Sequence, residues 1–234
     1  MSSPKTLPKP DRQLAGKAQK VYRLLQEAFG LPEWRQPLSA LDELVSTILS
    51  QNTNDINRDT AFNRLKVALP SWEAVRDAPL EEVIAAIRPA GLANQKAPRV
   101  QAILRQITEE RGSLDLDFLG TLERDEAHAW LKRFKGVGPK TAAIVLQFAL
   151  GIPAFPVDTH VYRVSGRLGL RPEKMSVEGA HAWLEQIFTS EQYGPGHLNL
   201  IRLGREICHA RKPECARCPL RGLCSYYQGL QKAV

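Results

Sequence analysis

The most reactive group this sequence offers is a primary amine rooted in an apolar helix. Lys140 follows Gly136-Val137-Gly138-Pro139 and precedes Thr141-Ala-Ala-Ile-Val-Leu146. It therefore falls in the first turn of a helix that is apolar almost throughout. The helix's positive end and the apolar root both work against the ammonium form, which leaves some neutral amine available as a nucleophile. A solvated or phosphate-contacting lysine is the other reading of these features. Eighteen positions on, Phe155-Pro-Val-Asp-Thr-His160 puts Asp158 where a helix begins. Asp is among the best N-cap residues, and capping is compatible with chemistry. A carboxylate held by N-terminal amides stays ionised and fixed, which suits a group that accepts a proton or stabilises a cation.

The glycines before Lys140 offer a second kind of chemistry. Without side chains, Gly136 and Gly138 let a ligand approach the backbone, and Pro139 suits the first helical position because its missing N–H has no intrahelical role there. The N–H groups of such a turn, with the positive helix end, form an anion site to which Lys135 adds charge. The alternative is a helical hairpin that needs glycine only for its geometry.

All four cysteines, Cys208, Cys215, Cys218 and Cys224, lie in the last 27 residues, separated by six, two and five positions. A basic chain with one CxxC pair and no other cysteines points to a metal centre rather than to disulfides. Structural zinc sites usually pair two such knuckles, so a [4Fe–4S] cluster fits this spacing better, with zinc as the alternative.

The charge balance fits an anionic partner. With 32 Lys+Arg against 25 Asp+Glu the net charge is +7 and the pI about 9.4. Basic residues concentrate in two places. Lys5, Lys9, Arg12, Lys17, Lys20 and Arg23 face only Asp11, and Arg202, Arg205, Arg211, Lys212, Arg217 and Arg221 face Glu206 and Glu214. Phosphates neutralised by such groups release counterions, so DNA or RNA is favoured. At 43% hydrophobic residues the composition is globular. The longest apolar run, from Thr141 to Leu150, is well below the ~20 residues of a membrane span. The N-terminus lacks the apolar stretch of a secretory signal, and an intracellular protein is expected.

The elements that must hold these groups are helical. Apolar positions recur at helical spacing from Lys17 to Gly30 and again around Leu41, Leu44, Val45, Ile48 and Leu49, where Ser39 and Asp42 supply a capping-box start. Further helices are expected at 55–69, 80–87, 95–110, 124–134, 139–150, 159–168, 177–188 and 195–208. No stretch alternates with period two, so the fold class is all-α. Residues 1–16, rich in Pro, Lys and Ser, read as a flexible basic arm.

As a set, Gly136-Val-Gly-Pro-Lys-Thr-Ala142, Val157-Asp-Thr-His160 with Arg163, Gly91-Leu-Ala-Asn-Gln-Lys-Ala97 and the cysteine tail resemble the endonuclease III family of helix-hairpin-helix DNA glycosylases. The likeness covers almost everything after the arm. It implies two helical domains, a six-helix barrel over 34–152 with the helix-hairpin-helix at 124–150, and an iron–sulfur cluster domain joining 17–33 to 153–234, with DNA in the cleft between them. It implies a monomer acting on double-stranded DNA that carries a damaged base or an abasic site. The activity implied is bifunctional: excision of oxidised pyrimidines, then strand cleavage by β-elimination.

In that resemblance Lys140 aligns with the catalytic lysine, Asp158 with the catalytic aspartate, and the four cysteines with the [4Fe–4S] ligands. Gly136, Val137, Gly138, Lys135 and His160 are expected DNA contacts. Leu92 matches an apolar wedge that fills the gap left by an extruded base. Two departures stand out. Lys135 replaces a usual proline, and in Ser50-Gln51-Asn52-Thr53 the glutamine is displaced by one position, so Gln51 and Asn52 are both candidates for insertion into the duplex. The alternatives are a monofunctional mismatch glycosylase, which usually lacks the lysine at position 140, and a noncatalytic DNA-binding protein that senses redox state through its cluster.

Overall fold

The structure, a computed structural model, describes residues 9–32 and 37–232. Among these residues the chain forms twelve α-helices and no strand. They are α1 (Arg12–Phe29), α2 (Ala40–Ser50), α3 (Asp55–Ala68), α4 (Trp72–Asp77), α5 (Leu80–Ile87), α6 (Ala93–Arg111), α7 (Arg124–Lys132), α8 (Pro139–Ile144), α9 (Thr159–Leu168), α10 (Val177–Ile187), α11 (Tyr193–Glu206) and α12 (Ser225–Lys232). None of the described helices is long and apolar enough to cross a membrane. The all-α class read from the periodicity is thus the observed one.

Two compact units divide the chain. One is Gln36–Ile152, and the other joins Met1–Arg35 to Pro153–Val234. In the first, α2 is apolar on nearly every side, as a fully enclosed helix must be: Leu44, Val45, Ile48 and Leu49 have no exposed surface. Ser39 caps this helix by accepting the Asp42 N–H at 3.1 Å. Asp42 does not close a capping box. Its carboxylate instead accepts from the indole of Trp72 at 2.9 Å, a tie between helices that local spacing does not reveal. Helix α6 lays Val100, Ile103, Leu104 and Ile107 into the same core.

In the second unit Val21 and Leu25 of α1, Val161, Val164 and Leu168 of α9, and Leu200 and Leu203 of α11 build the core. Each buried aliphatic side chain of this kind stabilises the fold by roughly 1.5–3 kcal/mol. Gly204 lets α9 approach α11, because a Cβ there would lie 2.9 Å from His160 Cβ.

Where structure and expectation differ, local chemistry explains it. The arm expected over residues 1–16 gives way to α1 at Arg12, because the Asp11 carboxylate accepts the Leu14 N–H at 2.7 Å and caps a helix there. Residues 1–8 lie outside the described residues, as does the expected domain boundary at 33–34. The helix expected over 139–150 is α-helical only to Ile144. It continues as one π turn, Val145–Ala149, closed by the Leu150 N–H donating to Val145 O at 3.2 Å.

Candidate active site and metal centre

Between α7 and α8 the chain makes the expected hairpin. Its base is anchored by aromatic packing. Trp130 meets Phe134 edge-on at 4.9 Å and Phe118 at 5.1 Å, and Phe134 and Val137 are buried. The Val137 N–H donates to Phe134 O at 3.0 Å. Of the hairpin residues expected to meet DNA, Val137 is therefore committed to the core and the turn, whereas Lys135 is exposed. Gly136 has φ +86°, and a Cβ there would sit 2.5 Å from Arg99 Nε. Gly138 has an extended φ of −97° and open space where a Cβ would go.

These two glycines predict opposite outcomes. Gly136→Ala should destabilise the protein by about 1–3 kcal/mol, combining left-handed strain with displacement of Arg99. Gly138→Ala should leave the urea midpoint near that of wild type. Equal midpoints for both variants would contradict this reading of the turn.

Lys140 occupies the second position of α8 and is half-buried, with Thr141 to Leu146 buried behind it. Pro139 ahead of it has no N–H, and the first N–H groups of any helix lack intrahelical acceptors. The amine thus emerges beside unpaired backbone donors, from a root that packing holds still.

Gln51 and Asn52 part company. The Gln51 amide donates to Gly136 O at 3.0 Å and its carbonyl accepts from Arg99 at 2.8 Å. It is a strut under the hairpin. Asn52 is exposed and left-handed, with φ +56°. Leu92 is likewise left-handed, with φ +52°, and 47% exposed, so it does not fold back onto the barrel.

In the other unit Asp158 caps α9, its carboxylate accepting the Val161 N–H at 2.8 Å. The buried strap that leads to it is tied down twice by histidine. His181 Nδ1 meets Phe155 O at 2.9 Å, and His197 Nδ1 meets Pro156 O at 2.8 Å. The Glu185 carboxylate accepts the Phe155 N–H at 3.0 Å. His160 faces Arg163 rather than solvent, with Nδ1 3.1 Å from its guanidinium. Since arginine only donates, Nδ1 acts as the acceptor in the tautomer that bonds Arg163. Burial, reinforced by Arg163 and Arg205, holds this imidazole below the usual histidine range against the opposing pull of Asp158.

Cys208, Cys215, Cys218 and Cys224 line one cavity, walled by Val164, Leu168, Leu203, Ile207 and Tyr227. All four are free thiols. Burial raises the Cys215 and Cys218 thiols, and the neighbouring cysteines add to the rise. Four clustered sulfurs in an apolar setting call for a cationic centre to hold them as thiolates. The single CxxC pair among the four suits a multi-iron cluster better than zinc, whose structural sites usually pair two such knuckles.

The basic residues of the tail are less free than their number suggests. Arg217 pairs with Glu214 at 2.6 Å and Arg202 with Glu206 at 2.8 Å, while Arg211 and Lys212 are exposed. The cation that reaches a cysteine was not singled out by sequence. Arg167 on α9 donates to Cys208 Sγ at 3.3 Å and to His209 O at 2.6 Å. Its place one helical turn after Arg163, whose guanidinium donates to Cys208 O at 3.1 Å, is the signal that would have found it.

Comparison with known proteins places these features in context. A family model described as the HhH-GPD superfamily base excision DNA repair protein matches residues 45–188. A second, described as the iron-sulfur binding domain of endonuclease III, matches residues 208–224. The chain is 33% identical over 186 residues to the endonuclease III of Sulfolobus acidocaldarius, covering 79% of this chain and 81% of that protein. It is 44% identical over 135 residues to a putative DNA glycosylase of Arabidopsis thaliana, covering 58% of this chain and less than half, 46%, of that protein. A solved structure of a trapped endonuclease III–DNA covalent intermediate superposes with a TM-score of 0.78 at 30% identity, covering 92% of this chain and 98% of that one.

Proposed function

Because this chain belongs to the endonuclease III family of HhH-GPD base excision repair proteins, and is accordingly a DNA glycosylase and AP lyase with a [4Fe–4S] cluster, we propose that it excises oxidised pyrimidines through a Schiff base on Lys140. The observation that carries this reading is the placement of Lys140: a half-buried amine at the start of α8, right after the hairpin glycines.

The target nucleotide must leave the stack before its sugar can be reached. The lone pair of Lys140 Nζ then forms a bond to C1′. The glycosidic C–N bond breaks, and its electron pair leaves with the base, which takes up a proton. The C1′–O4′ bond then opens, with O4′ taking up a proton and the nitrogen lone pair closing the C=N bond, and the resulting imine acidifies the C2′ hydrogen. Loss of that proton forms a carbon–carbon double bond and expels the 3′-phosphate, cutting the strand. Asp158 accepts the proton that activates the amine and stabilises positive charge on the sugar.

DNA phosphates would approach Gly136, Gly138 and Lys135, with the α8 N-terminus supplying N–H donors. Asn52 and Leu92, both exposed and left-handed, would enter the duplex. His160, engaged with Arg163, would support α9. Cys208, Cys215, Cys218 and Cys224 would hold the cluster, which fixes the fold of the tail without entering the chemistry.

A panel of duplexes carrying one oxidised pyrimidine, one mismatched adenine or one mismatched thymine tests the substrate class. Release of the oxidised pyrimidine alone, with strand cleavage, is expected. Preferential release of a mismatched base without cleavage would overturn the reading. On the oxidised substrate Leu92→Ala should slow single-turnover excision by about tenfold, or about 1.4 kcal/mol, as a wedge offsets part of the few kcal/mol of unstacking. Its cleavage of a single-stranded abasic oligonucleotide should be unaffected, because that substrate has no stack to open.

A further inference from the structure

Lys96 is 2% exposed. An ammonium buried this deeply is costly unless every contact is well made. Here Nζ donates to Leu49 O at 2.7 Å and to Ala90 O at 2.9 Å. The two acceptors sit at informative places. Leu49 lies in the last turn of α2, where carbonyls lack intrahelical donors, three residues before Asn52. Ala90 closes a short 3-10 turn, Arg88–Ala90, two residues before Leu92.

Both exposed residues downstream of these anchors are strained. Asn52 and Leu92 have φ of +56° and +52°, a conformation that costs a non-glycine residue of order 1–3 kcal/mol and persists only where the surroundings impose it. One buried cation therefore fixes the take-off points of the two left-handed residues that the sequence marks for the duplex. One turn further along α6, Arg99 donates to Gln51, and Gln51 donates to Gly136 O. The first two turns of α6 thus set the two probing loops and the hairpin from a single rigid element.

We infer that Lys96 is a positioning residue for base extrusion: it clamps the α2 C-terminus to the turn before Leu92, so that Asn52 and Leu92 enter the duplex in a fixed register. This rests on the enzymatic reading given above. Lys96 does not touch the reacting sugar and is not a catalytic residue. Burial, with Arg99 nearby, lowers its ammonium to about 8. The neutral amine still has two N–H groups, enough for both carbonyls, so the clamp holds in either protonation state.

The test compares two substrates in Lys96→Met, which keeps the side chain's bulk and removes both hydrogen bonds. One is a duplex with a single thymine glycol, and the other is a single-stranded oligonucleotide with one abasic site. Single-turnover excision from the duplex should fall by about tenfold or more, while cleavage of the abasic single strand stays within about twofold of wild type. Equal losses on both substrates, or no loss on either, would overturn the inference. In a double-mutant cycle, Lys96→Met should cost less in the Leu92→Ala background than in wild type, since part of the clamp's effect acts through that residue. Full additivity would also overturn it. If Lys96→Met does not fold by circular dichroism, Lys96→Gln, which retains amide donors, should show the same split at smaller size, and its absence there would count equally against the clamp. Wild-type protein serves as the reference in each assay. If it neither excises thymine glycol nor forms a borohydride-trapped complex, the enzymatic reading fails, and not the assignment of Lys96.

Discussion

Lys140→Gln is expected to lower strand cleavage at an abasic site by on the order of 10⁴-fold, with the fold and DNA binding retained. The size follows from the role: a nucleophile that forms the covalent intermediate has no partial substitute, and removing such a group from other enzymes leaves only the contribution of binding and electrostatics. The fold should survive because Lys140 is half-buried, and the core beneath it is made by Thr141 to Leu146. Lys140→Arg sharpens the test. Arginine keeps the positive charge and therefore any phosphate contact, yet it does not form an imine. Both variants should bind abasic DNA within a few fold of wild type and cleave it at background rates. Cleavage by Lys140→Arg at more than about a tenth of the wild-type rate would show that charge, not nucleophilicity, is what this position supplies.

Asp158→Asn should slow excision of an oxidised pyrimidine by about 10²–10³-fold, the usual effect of losing a positioned proton acceptor. Asparagine is as good an N-cap as aspartate and accepts the Val161 N–H in the same way, so the unfolding midpoint should shift little. That separates the two duties of the residue. Asp158→Ala removes both, and its further loss should appear as stability, typically about 1 kcal/mol for a lost cap. Unchanged excision in both variants, with the stability loss confined to Asp158→Ala, would leave Asp158 as a cap and nothing more.

Much of the architecture was legible because caps and periodicity act locally. Helices α5 and α9 span the ranges read from their apolar spacing, and the Gly-x-Gly turn before Pro139 falls between two helices as expected. Local signals also misled. Proline and lysine in the first residues suggested an arm to residue 16, yet one aspartate cap at Asp11 is enough to start α1. The short helices α4 and α12 bury too little of their length to show a clear period.

The candidate site was legible in residue type and not in partnership. Nothing local distinguishes Gln51 from Asn52. Their difference lies in Gly136 and Arg99, 85 and 48 positions away, which only the fold brings close. The same holds for Lys96. In sequence it is one more lysine within a family-like motif, and its meaning depends on two carbonyls from separate turns. Arg167 was passed over for a similar reason, because its sulfur partner is 41 positions away.

The central claim is that the Lys140 amine bonds to deoxyribose. Wild-type protein incubated with an abasic duplex and sodium borohydride, digested, and analysed by mass spectrometry tests it without any substitution. The account predicts a reduced sugar adduct on the peptide containing Lys140, at Nζ. An adduct on a different amine, or no covalent complex under conditions where the strand is cut, would contradict it.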